Sequence, residues 1–493
     1  MKKFYIVMGV WLSVHSLFAQ EAENSLSLTL KEAIALAHEQ SVDAAVALNE
    51  LKTAYWEYRT HKADQLPEAT FTGSLPTYYQ RYSKYQQADG SYTFVRDNSM
   101  GLSGELSIKQ NIALTGGQIS LNSSLDFTRQ LGSGATNEFM SVPVGLTLNQ
   151  PLFGVNNQKW KRRIEPVRYQ EAKAAYMESV ELITMYTIDY FFNLLSAQEN
   201  LRNALQNKEN ADKLYEIALA RREIGHISET ELMRLQQSAL QAKANVTDAQ
   251  SDQNSAMFQL RAFLGLNEQQ VITPVLPEKA PTMQIDYATV LDKAQENNKL
   301  AKKLLREQLE ADYNVASAKG NQRSINLYAS IGYTGKDRIM ADAYKGLMDN
   351  QILEVGVSIP LLDWGKRKGK VKVAESNREV TRSRIKQQQI SFNQNIFLLV
   401  ENFNNQAMQL DIAAEVDQLT EKRYNTSIET FLVGKISILD LNDAQNSKDN
   451  ARLNHIRELY AYWRYFYNIR SVTLYDFLHN RTLDADFEEI IFK

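Results

Sequence analysis

Two carboxylates three residues apart, Asp440 and Asp443, follow Gly434 by six and nine residues. That spacing puts both on one face of a helix, so negative charge gathers just beyond a break in the chain. At the matching place after Gly225 stand Glu231 and Arg234. Taken alone, the pattern is also what a solvated coiled-coil face near a turn requires. Catalytic chemistry finds no better foothold. Past Gln20 the histidines are His38, His61, His226, His455 and His479, and none has a partner at metal-ligand spacing. The chain has no cysteine and no glycine-rich phosphate loop. No metal, no cofactor and no enzymatic activity are expected. Two basic clusters remain: Lys159, Lys161, Arg162 and Arg163, and Lys366, Arg367, Lys368, Lys370 and Lys372. Each suits either a solvated helix start or a layer of phosphate head groups.

Lys2 and Lys3, an apolar run from Phe4 to Phe18, and then Ala19-Gln20 have the layout of a cleaved secretory signal peptide, residues 1–19. The run is shorter than the ~20 residues a membrane-spanning helix needs. Charged residues interrupt every later stretch that is long enough, so an integral membrane role would have to come from β-strands. Removing Lys2 and Lys3 takes the formal charge from -3 to -5, which argues against a nucleic-acid binder. An exported chain of 493 residues without disulfides must hold together by packing or oligomerisation.

The elements that position the acids are written twice. At a shift of 209 residues Pro151 falls on Pro360, Leu152 on Leu361, Tyr215 on Tyr424, Gly225 on Gly434, Ser228 on Ser437 and Gln236 on Gln445. Nearer the N-terminus the offset is 257, where Ala37-His38-Glu39-Gln40 matches Ala294-Gln295-Glu296-Asn297. The first copy is therefore 48 residues longer, the difference between the two offsets, and the surplus precedes Pro151. The copies read as 20–266 and 285–475, with a linker over 267–284 and a tail over 476–493.

Gly225 is the only glycine from Val155 to Leu264, and no proline lies between Pro166 and Pro274. Residues 157–224 and 226–264 thus read as two helices meeting at one break, repeated as 366–433 and 435–473 around Gly434. The longer helix would reach ~100 Å at ~1.5 Å per residue. A seam from Tyr176 through Val180, Ile183, Thr187, Tyr190 and Leu194 to Ala218 alternates steps of four and three, the period of a left-handed coiled coil. The shorter helices, 28–65 and 226–264, would stack end to end as its partner.

Between the helices the period falls to two. Ile325, Leu327, Ala329, Ile331 and Tyr333 alternate with small or polar residues, and so do Val355, Val357 and Ile359. In the first copy Leu102, Leu106 and Ile108, and Ile119, Leu121 and Leu125, behave alike. Lipid-facing barrel strands and a soluble half-buried sheet both give this pattern. Two or four strands per copy cannot close a barrel alone, so the edges demand oligomerisation. The tyrosines Tyr78, Tyr79, Tyr82, Tyr85 and Tyr92 suit an aromatic girdle or an extracellular cluster.

With these pieces in order, the sequence resembles the TolC-type outer-membrane efflux family over nearly all of the mature chain. The duplication carries the resemblance, together with the strand exits Leu146-Thr147-Leu148-Asn149-Gln150-Pro151-Leu152-Phe153 and Val355-Gly356-Val357-Ser358-Ile359-Pro360-Leu361. So do the breaks Arg222-Glu223-Ile224-Gly225-His226-Ile227-Ser228 and Phe431-Leu432-Val433-Gly434-Lys435-Ile436-Ser437. It implies a mixed α/β membrane protein, a trimeric transmembrane β-barrel continued by a long α-helical coiled-coil tunnel in the periplasm. In the family each protomer gives four strands, so that three close a twelve-stranded barrel. Here the runs 69–78, 101–113, 118–128 and 142–150 give four strands in the first copy where the family has two. Either the barrel has extra strands or the middle hairpin, 101–128, is an extension outside the membrane; the extension is the favoured expectation, because the second copy supplies only two runs.

The function implied is that of an outer-membrane exit duct, passively exporting small molecules or proteins received from an inner-membrane pump through a periplasmic adaptor. Its partners would be two further copies in a homotrimer, the adaptor, the pump and outer-membrane lipid, with no nucleic acid. The alternative is a non-channel structural or adhesive coiled-coil protein of the envelope, which has no use for alternating apolar strands. The resemblance also assigns residues. Asp440 and Asp443 match the acids that constrict the family's periplasmic mouth, where threefold symmetry would gather six carboxylates, favour cations and raise some pKa values by repulsion. Glu231 matches an acid that bonds across to the neighbouring tip. Phe431 stands where an aromatic hydroxyl is usual, and Ile436 where a basic residue is often found. The latch is therefore expected to be weaker, or built from Lys435, Arg221 and Arg222. The breaks Gly225-His226-Ile227 and Gly434-Lys435-Ile436 match the surface that meets the adaptor.

Overall fold

The computed structural model describes residues 25–132, 135–225, 227–277, 283–322, 324–358, 362–433 and 435–492. The expected signal peptide, His226, Gly434, Ile359, Pro360 and Leu361 lie outside them. In chain order the first elements are β1 (Ser25–Leu28), α1 (Leu30–Gln40), α2 (Val42–Ala63), β2 (Glu68–Gln86), β3 (Tyr92–Ile112), β4 (Gly117–Gln130), β5 (Asn137–Pro151), α3 (Asn157–Glu223) and α4 (Glu229–Leu264). Then come β6 (Val271–Pro274), α5 (Tyr287–Asn297), α6 (Lys299–Gly320), β7 (Ser324–Asp337), β8 (Met348–Ser358), α7 (Lys366–Leu432) and α8 (Ile438–Thr473). The chain closes with β9 (Tyr475–Asp476), β10 (Arg481–Thr482) and α9 (Phe487–Phe492). It divides into two compact units. One comprises the chain up to Lys52, Ala172–Ala301 and everything from Gln389; the other comprises Thr53–Glu171 and Lys302–Gln388.

The second unit is built on a six-stranded sheet of order β2-β3-β4-β5-β7-β8, every pair antiparallel. Cross-strand partners share a face. Ile108 faces Leu121, Leu121 faces Leu146, and Leu146 faces Ile331, while Phe71 faces Leu106 and Leu327 faces Val355. On the opposite side run Lys109, Ser120, Thr147 and Ser330. One face is thus mainly apolar across the sheet and the other mainly polar, with Gln351 and Ile352 of β8 as exceptions. Among the described residues nothing covers the apolar face: Phe71, Leu106, Ile331, Leu353 and Val355 are 50–78% exposed.

The sheet corrects the expected displayed hairpin. Residues 101–128 lie in its middle, with β3 and β4 each bonded on both sides, because their apolar alternation continues that of β5 and β7. A projecting piece does exist, but elsewhere. Pairing of β3 with β4 begins at Ser99↔Gln130, whereas β2 and β3 pair on from Tyr78↔Met100 to Gln86↔Tyr92. Residues 78–98 therefore form a two-stranded ribbon, which carries the whole tyrosine group; Lys84 Nζ sits 3.8 Å from the Tyr92 ring centre. Its polar and aromatic residues do not alternate, and so gave no strand signal.

The first unit holds the main hydrophobic core. Ala33 and Ala37 of α1, Ile188, Phe191 and Leu194 of α3, Leu260 and Leu264 of α4, Val290 of α5, Phe403 and Leu410 of α7, and Tyr462 of α8 are buried together. Every seam residue from Tyr176 to Ala218 is buried or half-buried, as a coiled-coil period demands. Residues 28–65, expected as one helix, are two. Ser41 and Asn298, related by the 257-residue offset, both have extended backbones, and their side chains accept hydrogen bonds from the Ala44 and Leu300 amides. A short polar side chain that bonds nearby backbone competes with helix continuation. The segment 267–284, expected as a linker, contains β6, which pairs in parallel with β1.

Candidate functional site at the helix tips

Two helical hairpins end in the predicted breaks. α3 stops where Gly225 takes φ +75°, a conformation that costs other residues a clash, and its amide bonds Arg222 O at 3.0 Å. Ser228 caps α4 by accepting from the Glu231 amide at 3.2 Å, and Arg222 Nε donates to Glu229 across the turn at 2.9 Å. At the second break the Lys435 amide bonds Thr430 O at 3.1 Å, and Ser437 caps α8.

Asp440 and Asp443 are both exposed, in the first turns of α8. Asp440 closes a capping box: its Oδ2 accepts from the Ser437 hydroxyl at 2.7 Å and from the Ser437 amide at 3.0 Å. These bonds, the hydroxyl's first, hold its carboxyl below the usual carboxylate range. Asp443 accepts from Arg423 of α7, whose other nitrogen reaches Ser447 Oγ at 3.5 Å. Each acid therefore already has a partner within the protomer, a hydroxyl for one and a guanidinium for the other. Reading the sequence did not single out Arg423. Its signal was there: it precedes Gly434 by eleven residues as Asp443 follows by nine, so antiparallel helices bring them level.

The latch residues are placed differently from one another. Glu231 is exposed in the first turn of α4, and among the described residues no hydrogen bond joins its carboxylate to the other hairpin. Phe431 is half-buried against Tyr424, Leu441 and Ala444, so its ring props the second hairpin from within. Gly225 and Lys435 are exposed, Ile227 and Ile436 half-buried. Not foreseen were Ile224, Met233, Val433 and Leu439, which stand 60–69% exposed around the two breaks. They sit off the buried seams, and an apolar residue off the seam near a break was the available clue. Farther along the helices, Asn210 Nδ2 donates to the Tyr424 hydroxyl and Asn207 Nδ2 to Asp449, each at 2.9 Å, tying α3 to α7 and α8.

The histidines have structural partners. His455 Nδ1 and Arg452 Nη1 each lie 3.0 Å from the buried Asp417, and Arg452 Nε donates to Glu199 at 3.3 Å. His38 Nε2 lies 2.8 Å from Thr184 Oγ1, and burial lowers its pKa. No group of three or more His, Cys, Asp or Glu side chains able to hold a metal occurs among the described residues. No described helix is long and apolar enough to cross a membrane. In the basic clusters Arg162 donates to Gln65 Oε1 at 2.9 Å and Arg367 to Gln322 O at 2.6 Å, at the starts of α3 and α7.

A two-faced antiparallel sheet in one chain with hairpins of long helices is the fold seen in outer-membrane channels. Residues 33–266 and 290–473 match the family described as outer membrane efflux protein, and the chain belongs to it. That family consists of channels and not of enzymes. Among solved structures the fold is similar to the Campylobacter jejuni CmeC outer membrane channel, at 16% identity and TM-score 0.64, covering 94% of this chain and 88% of that one. It is also similar to the Vibrio cholerae outer membrane protein VceC, at 14% identity, TM-score 0.61 and coverages of 90% and 95%. The open state of the Neisseria gonorrhoeae MtrE outer membrane channel gives 13% identity, TM-score 0.58 and coverages of 90% and 88%. No curated protein sequence matches the chain.

Proposed function

We propose that three copies of this chain form an exit duct in the outer membrane, passing cargo outward that an inner-membrane pump delivers through a periplasmic adaptor. The observation that carries this reading is the sheet with one uncovered apolar face and one polar face. A face of that size left in water would aggregate, whereas lipid on one side and a hydrated lumen on the other suit both. Open edges cannot stay unpaired in lipid, so copies must close them. A purely adhesive rod has no need of such a sheet. The basic starts of α3 and α7 suit phosphate head groups at the inner rim. At the helix tips Asp440 and Asp443 form the narrow acidic ring. Gly225, His226, Ile227, Lys435 and Ile436 meet the adaptor, with Ile224, Val433 and Leu439 as apolar contacts exposed for it. The test is native mass spectrometry and planar-bilayer recording of the full chain extracted from outer membranes. A trimer that conducts is expected; a monodisperse monomer retaining its full helix and strand content would refute the reading.

A further inference from the structure

We infer that the wall of this duct is eighteen-stranded, closed by pairing of β2 of one copy with β8 of the next, rather than the twelve-stranded wall expected from the resemblance. The inference rests on the trimeric reading above. Six strands form one uninterrupted sheet in which only β2 and β8 have a free edge. The extra hairpin cannot be set aside from the wall, because β3 and β4 share fourteen paired residues, from Ser99↔Gln130 to Ile112↔Gly117. Its apolar side chains also continue the uncovered face. On the two edge strands large apolar side chains stay exposed, Phe71 at 74% and Leu353 at 78%.

The edges fit each other. Consecutive antiparallel strands leave β2 and β8 running in opposite directions, so closure keeps every ladder antiparallel. The ladder of β2 is regular from Glu68 to Ser74, then shifts register between Ser74 and Thr77 around Pro76, which has no N–H to donate. Those seven regular residues run about 24 Å along the strand, or ~18 Å of bilayer height at a ~40° tilt, most of the ~25 Å apolar band of an outer-membrane barrel, and β8 is eleven residues long. Beyond Pro76 the tyrosine ribbon projects past the neighbouring strands. With strands ~4.8 Å apart and tilted ~40°, barrel width grows nearly in proportion to strand number, so the exit is about half again as wide as a twelve-stranded one.

Because the chain has no cysteine, disulfide trapping tests this directly. Thr70→Cys or Thr72→Cys on β2 is combined, in the full-length membrane protein, with Asn350→Cys, Ile352→Cys or Glu354→Cys on the same face of β8. At one register, oxidation is expected to convert the monomer band in SDS to a covalent trimer that dithiothreitol reverses, while the single-cysteine chains stay monomeric. Strand counting by cryo-electron microscopy of the unmodified trimer should give eighteen. An intact trimer with twelve wall strands, or one in which no pair across the scan cross-links, overturns the inference and leaves the duct standing. Absence of any trimer would overturn both.

Discussion

Replacing Arg423 with Ala should make the channel more cation-selective, although the substitution removes neither acid of the proposed ring. In a threefold assembly Asp440 and Asp443 contribute six negative charges, and Arg423, bonded to Asp443, contributes three positive ones, for a net charge of -3. Arg423→Ala takes the ring to -6, Asp443→Ala to 0, and Asp440→Ala with Asp443→Ala to +3. The strength of the Arg423–Asp443 bond is immaterial, since a half-exposed pair adds little stability and the guanidinium stays charged whatever it touches. Three unit charges about 10 Å from an ion on the axis change its partition roughly twofold in ~0.1 M salt. Cation and anion move in opposite directions, so each step of three charges alters their permeability ratio roughly fivefold. Reversal potentials of the purified channel in a planar bilayer, under a salt gradient, read this ratio. The expected order of cation preference is Arg423→Ala, wild type, Asp443→Ala, then the double substitution, which should favour anions. Glu415, exposed on α7, is the control. Reversal potentials that do not move in Arg423→Ala and Asp443→Ala, or that move equally in Glu415→Ala, would show that these acids are only the solvated start of a helix.

Two further expectations concern stability. Asp417→Ala leaves Arg452 and His455 without their shared buried acceptor, and loss of one partner from a buried charged cluster costs about 3–5 kcal/mol; denaturant midpoints in detergent should fall accordingly, and a loss below ~1 kcal/mol would contradict the cluster. His38, whose pKa burial lowers, gives a pH slope of definite sign. The unfolded chain takes up a proton below its ordinary ~6.5 while the folded one resists, so stability should fall as pH drops below that value toward the folded pKa. His38→Gln should flatten the slope, and equal slopes in both proteins would refute the assignment.

What the sequence discloses depends on how local the cause is. The break at Gly225 is legible because a positive φ all but requires glycine, and the seam from Tyr176 to Ala218 because burial repeats with the helix period. The alternation in β4, β5 and β7 is legible for the same reason. Ser41 and Asn298 interrupt helices without glycine or proline, and only their bonds to Ala44 and Leu300 explain it. The tyrosine ribbon escaped because both its faces are wet, so no period develops. Asp417 looks like a surface acid until α8 delivers Arg452 and His455 to it. The same distinction separates the two acids of the candidate site. Ser437 and Asp440 stand at capping-box spacing, so Asp440 has a reason to exist in any helix that starts there, channel or not. Asp443 has no such local duty: its partner comes from α7, across the hairpin. A charge that serves no element of its own helix is the stronger sign of a role in the assembly. Hence the selectivity of Asp443→Ala, more than that of Asp440→Ala, decides whether the tips of α8 line a pore.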